Sequence, residues 1–428
     1  MQTASKKVIN GWAMYDWANS VYNLVITTTF FPIYFTSATK EHFHSETIPF
    51  FGKTYVNAAL YDYAMAGAFL LAAILSPILS SIADTRGNKK RYLRVFTWMG
   101  GISCSALALF NGANVEYGVI CFMLATLGYC GGLVFYNSYL PEIAIPEDRD
   151  RISAKGFAMG YIGSVILQLV GFVLVAVKPF GLTGGTAVLA TFLLVGVWWI
   201  GFAQITLIRL PASAPTVGEH KGSALTEGFA ELKKVYAQVK LMPVLKRFLR
   251  GFFFYSMGVQ TVMMAATIFG SEELHLPPTT LIMTVVVIQL VAVLGAWSIA
   301  RLSGRFGNLR VLMGVLILWI GICVAGYRMQ TAIDFYLLAT AVGLVMGGVQ
   351  SLSRSTYAKL MPETQDTTSF FSYYDVTEKI SIVIGMTSFG IIHEVTGNMR
   401  NSVLALIVFF VIGIGWVFSA RVKQRLEK

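Results

Sequence analysis

Gly131-Gly132-Leu133-Val134-Phe135-Tyr136-Asn137-Ser138-Tyr139-Leu140-Pro141-Glu142, running on through Pro146-Glu147 and Asp150 to Ser153, is punctuation that the chain uses twice. Displaced by 216 residues, Gly131-Gly132 becomes Gly347-Gly348, Pro146-Glu147 becomes Pro362-Glu363, Asp150 becomes Asp366 and Ser153 becomes Ser369. A further pair, Gly87-Asn88 and Gly307-Asn308, repeats at a displacement of 220. Around these marks lie apolar runs of roughly 20 residues, the length that crosses a bilayer as a helix. They place spans near 9–38, 57–83, 92–111, 117–141, 153–177, 185–208, 249–271, 280–302, 309–328, 333–352, 369–393 and 400–420. The repeat therefore holds six spans. Two parallel repeats of that kind give an all-α membrane protein of twelve transmembrane helices, with its site between the halves near the membrane midplane. The predicted organisation is a six-helix bundle over 1–209, a linker over 210–248 and a second six-helix bundle over 249–428.

Composition agrees with membrane insertion. The 428 residues are 55% hydrophobic and 13% charged, against about 25% charged in soluble proteins. The net charge of +11 is a topology signal, and nucleic acid is not expected as a partner. The segments on the N-terminal side of the membrane hold 27 of the 33 Lys and Arg. Lys40, Lys53, Lys178, Arg328 and Arg400 fall on the other side, and Lys379 stays inside a span. The positive-inside rule then predicts that both termini are cytoplasmic. Lys6-Lys7 lead into a long apolar stretch without a small-residue cleavage site, so no cleavable signal peptide is expected. The four cysteines lack CxxC spacing and the five histidines form no ligand cluster, so no disulfide framework, metal or other cofactor is predicted. A GxxxxGK[ST] loop is absent from the sequence, which excludes a P-loop ATP-driven pump. A Ser/His pair inside the spans is likewise missing, and the chain is not expected to be an enzyme.

The informative residues are the polar ones inside apolar spans, because a charge at bilayer depth must be paired or must face water. In the eleventh span, Tyr373-Tyr374-Asp375-Val376-Thr377-Glu378-Lys379 puts Asp375, Glu378 and Lys379 at i, i+3 and i+4 on one helix face. In the first, Asp16, Asn19, Ser20, Asn23 and Thr27 form a polar stripe. Asp84-Thr85-Arg86-Gly87-Asn88-Lys89-Lys90-Arg91 reads as a latch, an acid at a helix end meeting cations across a glycine turn. Gly156, Gly160 and Gly163 line one side of span five and are expected to pack closely against a neighbour. Residues 39–56 form the longest outer loop, a candidate cover for the entrance. Residues 210–248, with Pro211, Pro215 and Gly218, contain an amphipathic run from Leu225 to Leu241, expected to lie on the membrane surface. Phe252-Phe253-Phe254-Tyr255 reads as an aromatic gate or, in preference, an interfacial aromatic belt.

Twelve spans, a central linker and the Asp84…Gly87…Lys89-Lys90-Arg91 latch resemble the major facilitator superfamily. The opening Trp12-Ala13-Met14-Tyr15-Asp16-Trp17-Ala18-Asn19-Ser20 resembles the branch that includes the fungal vacuolar amino-acid effluxers and many uncharacterised bacterial proteins. Tyr139-Leu140-Pro141-Glu142-Ile143-Ala144, Gly160-Tyr161-Ile162-Gly163 and Gly348-Val349-Gln350-Ser351-Leu352-Ser353-Arg354 point to the same branch. The resemblance implies the facilitator fold and rocker-switch alternating access and suggests amino-acid export; a monomer in a bacterial inner membrane is expected. Two departures stand out. The glycine motif of span five lacks the proline associated with drug antiporters, and Glu378 stands where many relatives carry a small or polar residue before the Lys.

In that architecture, Asp16 and the span-eleven triad are expected to face a common water-filled space. Lys379 and Arg354 are assigned to an anionic group of the substrate, Arg354 being equally readable as a gate or anchor. Asp16, Glu378 and Asp375 are the candidate proton-coupling groups, with Asp375–Lys379 alternatively a structural pair. Tyr15, Asn19, Asn23, Asn137, Gln350 and Tyr374 complete the candidate binding set, and Asp84, Gly87, Lys90 and Arg91 the latch. Glu142 reads as a cap or latch. The expected function is a secondary transporter of a small polar or zwitterionic solute, amino acid or short peptide, coupled to protons or sodium. A lipid or amphiphile translocator on the same fold is the alternative.

Overall fold

The computed structural model describes residues 2–212 and 224–427. Pro215 and Gly218 of the linker lie outside them. Among the described residues, twelve long helical segments occupy the predicted spans. Span one is a single helix in three parts, α1 (Lys6–Val21), a π-helical stretch (Tyr22–Phe30) and α2 (Phe31–Phe43). A β-hairpin follows, β1 (Thr47–Phe50) paired antiparallel with β2 (Lys53–Val56). Spans two to six are α3 (Asn57–Arg86), α4 (Lys89–Ala106), α5 (Val115–Ser138), α7 (Arg149–Val177) and α8 (Gly184–Arg209), with the short α6 (Leu140–Ile143) after α5. The amphipathic linker run forms α9 (Ala224–Leu241). Spans seven to twelve are α10 (Pro243–Glu272), α11 (Pro278–Phe306), α12 (Asn308–Arg328), α13 (Ala332–Leu360), α14 (Thr367–Thr396) and α15 (Met399–Leu426).

Eight of these helices are long and apolar enough to cross a membrane on length and composition. Spans one, three, seven and eleven fall short, and three of these four carry candidate site residues. Span one also departs from regular α geometry where Ile26-Thr27-Thr28-Thr29 precedes Pro32. Proline has no N–H for the carbonyl four residues back, and Thr28 and Thr29 both donate their hydroxyls to the Leu24 carbonyl, at 2.9 and 3.1 Å. Wide turns of this type recur at functional sites.

The chain clusters into two compact units whose boundaries do not follow sequence order. One comprises Ser5–Tyr136 and Met159–Thr216. In it span six packs against spans one and three, and span one meets span five at two of the three glycines expected to pack, Gly160 and Gly163. A Cβ at Gly160 would stand 2.5 Å from the Ser20 hydroxyl, and one at Gly163 would stand 3.0 Å from the Trp17 carbonyl. Of residues 39–56, expected to be the longest outer loop, 39–43 extend α2 and 47–56 form the hairpin. Phe51 and Gly52 supply its two-residue turn with φ of +45° and +78°, the handedness that suits strand twist. The Phe51 N–H donates to Glu116 at 3.2 Å.

The other unit comprises Met1–Ala4, Asn137–Ala158 and Val217–Lys428. Spans eight and ten pack along their length, and the repeated glycine pair is the reason. A side chain at Gly347 would collide with the Ala292 carbonyl, and one at Gly348 with Ile299. Asn137–Ala158, the ends of spans four and five with the turn between them, belongs here because its polar groups bond to the second set of helices. Arg149 is buried and donates to the carbonyls of Ala144 (3.0 Å), Pro141 (3.3 Å) and Ala358 (2.6 Å). Asp150 accepts from Ser303 (2.7 Å), Asn308 (2.8 Å) and Lys359 (2.6 Å). In the same segment Asp148 accepts from Thr3 at 2.6 Å and Arg151 at 2.8 Å, which hold its carboxyl below the usual aspartate range.

Candidate functional site

The span-eleven charges sit where α14 comes closest to span seven. Gly385 permits that approach, since a Cβ there would lie 2.7 Å from the Met257 carbonyl and 2.5 Å from the Thr261 hydroxyl. Gln260, between those two residues in sequence, then reaches Glu378 and donates to Oε1 at 3.0 Å. Lys379 donates to Asp375 Oδ1 at 3.0 Å, one helical turn away, and stands 4.0 Å from Glu378 Oε2. Asp375 and Lys379 are both 5% exposed, whereas the Glu378 side chain keeps 25% of its surface open. Asp375 Oδ2 is buried and has no hydrogen-bond partner among the described residues. One cation thus faces two carboxylates, and their oxygens are incompletely paired.

Aromatic rings fix the helix beside this cluster. Tyr374 stacks on Phe252 at 4.2 Å and lies 4.9 Å from Tyr357. Tyr255 shares a 2.7 Å hydrogen bond with Ser353 of span ten. The run Phe252–Tyr255 is therefore not a uniform interfacial belt. Phe252 and Tyr255 are buried, because positions three apart share the inner face, while Phe253 and Phe254 remain half-buried outside it.

Arg354 and Asn137 are joined to one another. Arg354 donates to Asn137 Oδ1 at 3.1 Å, to the Ser153 hydroxyl at 2.9 Å and to the Ser153 carbonyl at 2.8 Å, with its guanidinium 4.2 Å over Phe157. These contacts tie span ten to the ends of spans four and five. Glu142 accepts from Thr367 at 2.7 Å. Gln350 makes a 3.6 Å contact with the Met263 sulfur.

The first-half residues cluster within their own unit. Asp16 is buried and accepts from the Tyr136 hydroxyl at 2.8 Å. Tyr136 stacks on Trp12 at 4.5 Å and lies 4.9 Å from Tyr15, whose own hydroxyl bonds Thr97 at 3.2 Å. Asn19 is fully buried, and neither atom of its amide has a partner among the described residues. Asn23 is half-buried. Tyr136 was not singled out in the sequence although it adjoins Asn137; a tyrosine facing a buried acid across 120 residues leaves no local trace.

At the latch, Gly87 adopts φ +62° and its N–H caps α3 on the carbonyls of Ala83 and Asp84. Lys90 donates to the Leu210 carbonyl at 2.7 Å and so fastens the end of span six. Arg91 is exposed, while Lys89 beside it is buried, so burial selects a different cation of the run from the one expected.

The family model described as vacuole effluxer Atg22-like matches residues 4–427. An uncharacterized MFS-type transporter of Bacillus subtilis (strain 168), YxiO, is 30% identical over 408 residues, spanning 95% of this chain and 92% of that one. Autophagy-related protein 22 of Eremothecium gossypii is 26% identical over 479 residues, spanning 99% and 92%. Among solved structures, the human organic anion transporter MFSD10 superposes with a TM-score of 0.73 at 10% identity, covering 96% of this chain and 99% of that one. The Escherichia coli fucose:proton symporter FucP superposes with a TM-score of 0.69 at 12% identity, covering 97% of each. These likenesses establish the major facilitator fold in a multi-pass membrane protein. With that fold and a family match over nearly its whole length, the chain is a secondary transporter that belongs to the vacuole effluxer Atg22-like family of the major facilitator superfamily.

Proposed function

We propose that this transporter carries a small zwitterionic or polar solute, amino acids and short peptides first, and couples its movement to protons. The observation that carries this reading is the Asp375–Glu378–Lys379 cluster. It offers one cation and two acids on one face of a helix, with Asp375 Oδ2 unpartnered among the described residues. Lys379 suits a substrate carboxylate and the acids suit an ammonium group. The surplus negative charge is expensive to bury bare, and a proton on Glu378 would remove it. The family's description as vacuole effluxers favours export. The charge bias of the loops favours a cytoplasmic membrane, with both termini inside. The chain is read as a monomer and as a transporter without catalytic activity.

The test is a thermal-shift series on the purified protein with amino acids, dipeptides, sugars, organic acids and lysolipids. A ligand that binds only the native state raises its apparent stability by mass action. Stabilisation by a zwitterionic or anionic solute that is lost in Lys379→Ala supports the proposal. Stabilisation by lysolipids alone would replace it with an amphiphile translocator.

A further inference from the structure

We propose that a cavity beneath the linker helix holds the phosphate headgroup of an anionic phospholipid. The cavity measures about 610 Å³ and lies among α9, the start of span seven and the start of span eleven. Lys240 enters it from α9, and Lys246 and Arg250, one turn apart, enter from α10. No aspartate or glutamate is among its lining residues. Nor, among the described residues, does any carboxylate pair with these three cations, although Lys234 of the same linker helix is bridged to Asp366 at 2.8 Å. Arg250 is held in place over the Trp416 ring at 4.7 Å.

The walls distinguish a lipid from a free phosphate. Along α10 the lining passes from Lys246 and Arg250 to Phe253 and Phe254; along α14 it passes from Tyr373 through Val376 and Thr377 to Ile380. The cavity wall on α10 thus turns from cationic to aromatic, and the wall on α14 contributes no charged group. A phospholipid has the same order, from charged phosphate to acyl chain, whereas a soluble phosphate would leave the apolar end empty. Basic pockets between spans are known to recognise lipid headgroups in this way. Occupancy would also clamp α9 to the stretch of span eleven that lies between Asp375 and Glu378, since Val376 and Thr377 line the cavity. The lipid would therefore bias the helix that bears the charge cluster.

Binding is measured by native mass spectrometry on the full-length protein in detergent, titrated with dioleoylphosphatidylglycerol, dioleoylphosphatidylcholine or glycerol 3-phosphate. The expected result is that phosphatidylglycerol binds about tenfold or more tightly than phosphatidylcholine, with no binding of glycerol 3-phosphate in the same range. Lys240→Gln/Lys246→Gln abolishes the preference. Lys233→Gln, a change at an exposed position of α9 outside the cavity, keeps it. Ile380→Trp fills the apolar end without altering charge and weakens phosphatidylglycerol binding independently of the lysines. Equal binding of the two lipids, an equal loss in Lys233→Gln, or full occupancy by glycerol 3-phosphate would each overturn the proposal.

Discussion

Two polar regions of the same compact unit treat their charges in opposite ways. Around Asn137–Ala158 the buried charges are surrounded by matching groups. Asp150 meets Ser303, Asn308 and Lys359, Arg149 meets three carbonyls, and Arg354 meets Asn137 and both oxygens of Ser153. On span eleven the arithmetic fails, since two acids share one lysine and Asp375 Oδ2 has no partner among the described residues. A satisfied buried network rigidifies. An unsatisfied one persists only where something else completes it. The first region ties the ends of spans four and five to the second set of helices, and the second is the site to which the proposed function assigns a substrate and a proton.

The comparison breaks most visibly at Asp150. Asp150→Ala takes one acceptor from each of Lys359, Ser303 and Asn308 and the carboxylate from the lysine, and removing one member of such a buried pair costs about 3 kcal/mol or more. Thermal unfolding of the purified protein should show a large fall, and a change indistinguishable from zero would deny the fastening role. Gly385→Ala comes next. It pushes α14 off Met257 and Thr261, an overpacking cost of about 1–3 kcal/mol, and it should impair transport as well as stability by displacing Gln260 from Glu378. Gln260→Leu removes one hydrogen bond to a partly open carboxylate, about 1 kcal/mol, read from the same melts. Asp148→Asn is smaller still. The depressed carboxyl of Asp148 contributes stability above the unfolded value of about 4, which is lost as pH falls through the folded one. The variant should match the parent in the acid range and fall slightly below it at neutral pH.

Much of this was legible in the sequence. The spans are dictated by bilayer thickness, which imposes a run length that no side-chain detail alters. The repeat marks proved to be contact marks. Asp150, found at a displacement of 216, and Asn308, found at 220, hydrogen-bond one another at 2.8 Å. Their counterparts diverged, for Asp366 pairs instead with Lys234 of the linker helix. The charge triad was visible because helical spacing is local. Long-range partners were not visible, since nothing near Asp16 names Tyr136 and nothing near Arg354 names Ser153. The hairpin was missed because its turn opens with Phe51, a residue that seldom adopts positive φ, and only Gly52 hinted at it. The π-helical stretch had its cause in view, Ile26-Thr27-Thr28-Thr29 followed by Pro32, but the pattern reads equally as an ordinary span.

The claim that span eleven holds a working site and not a fastening is tested most directly by Glu378→Gln in proteoliposomes loaded with the solute that the thermal-shift series identifies. The amide keeps the shape of the side chain and can still accept from Gln260, so stability should stay within about 0.5 kcal/mol of the parent. Transport driven by a pH gradient should be abolished, while solute exchange at equal pH continues at the parental rate. Equal loss of both activities, accompanied by a fall in stability, would contradict the account and make Glu378 one more structural carboxylate.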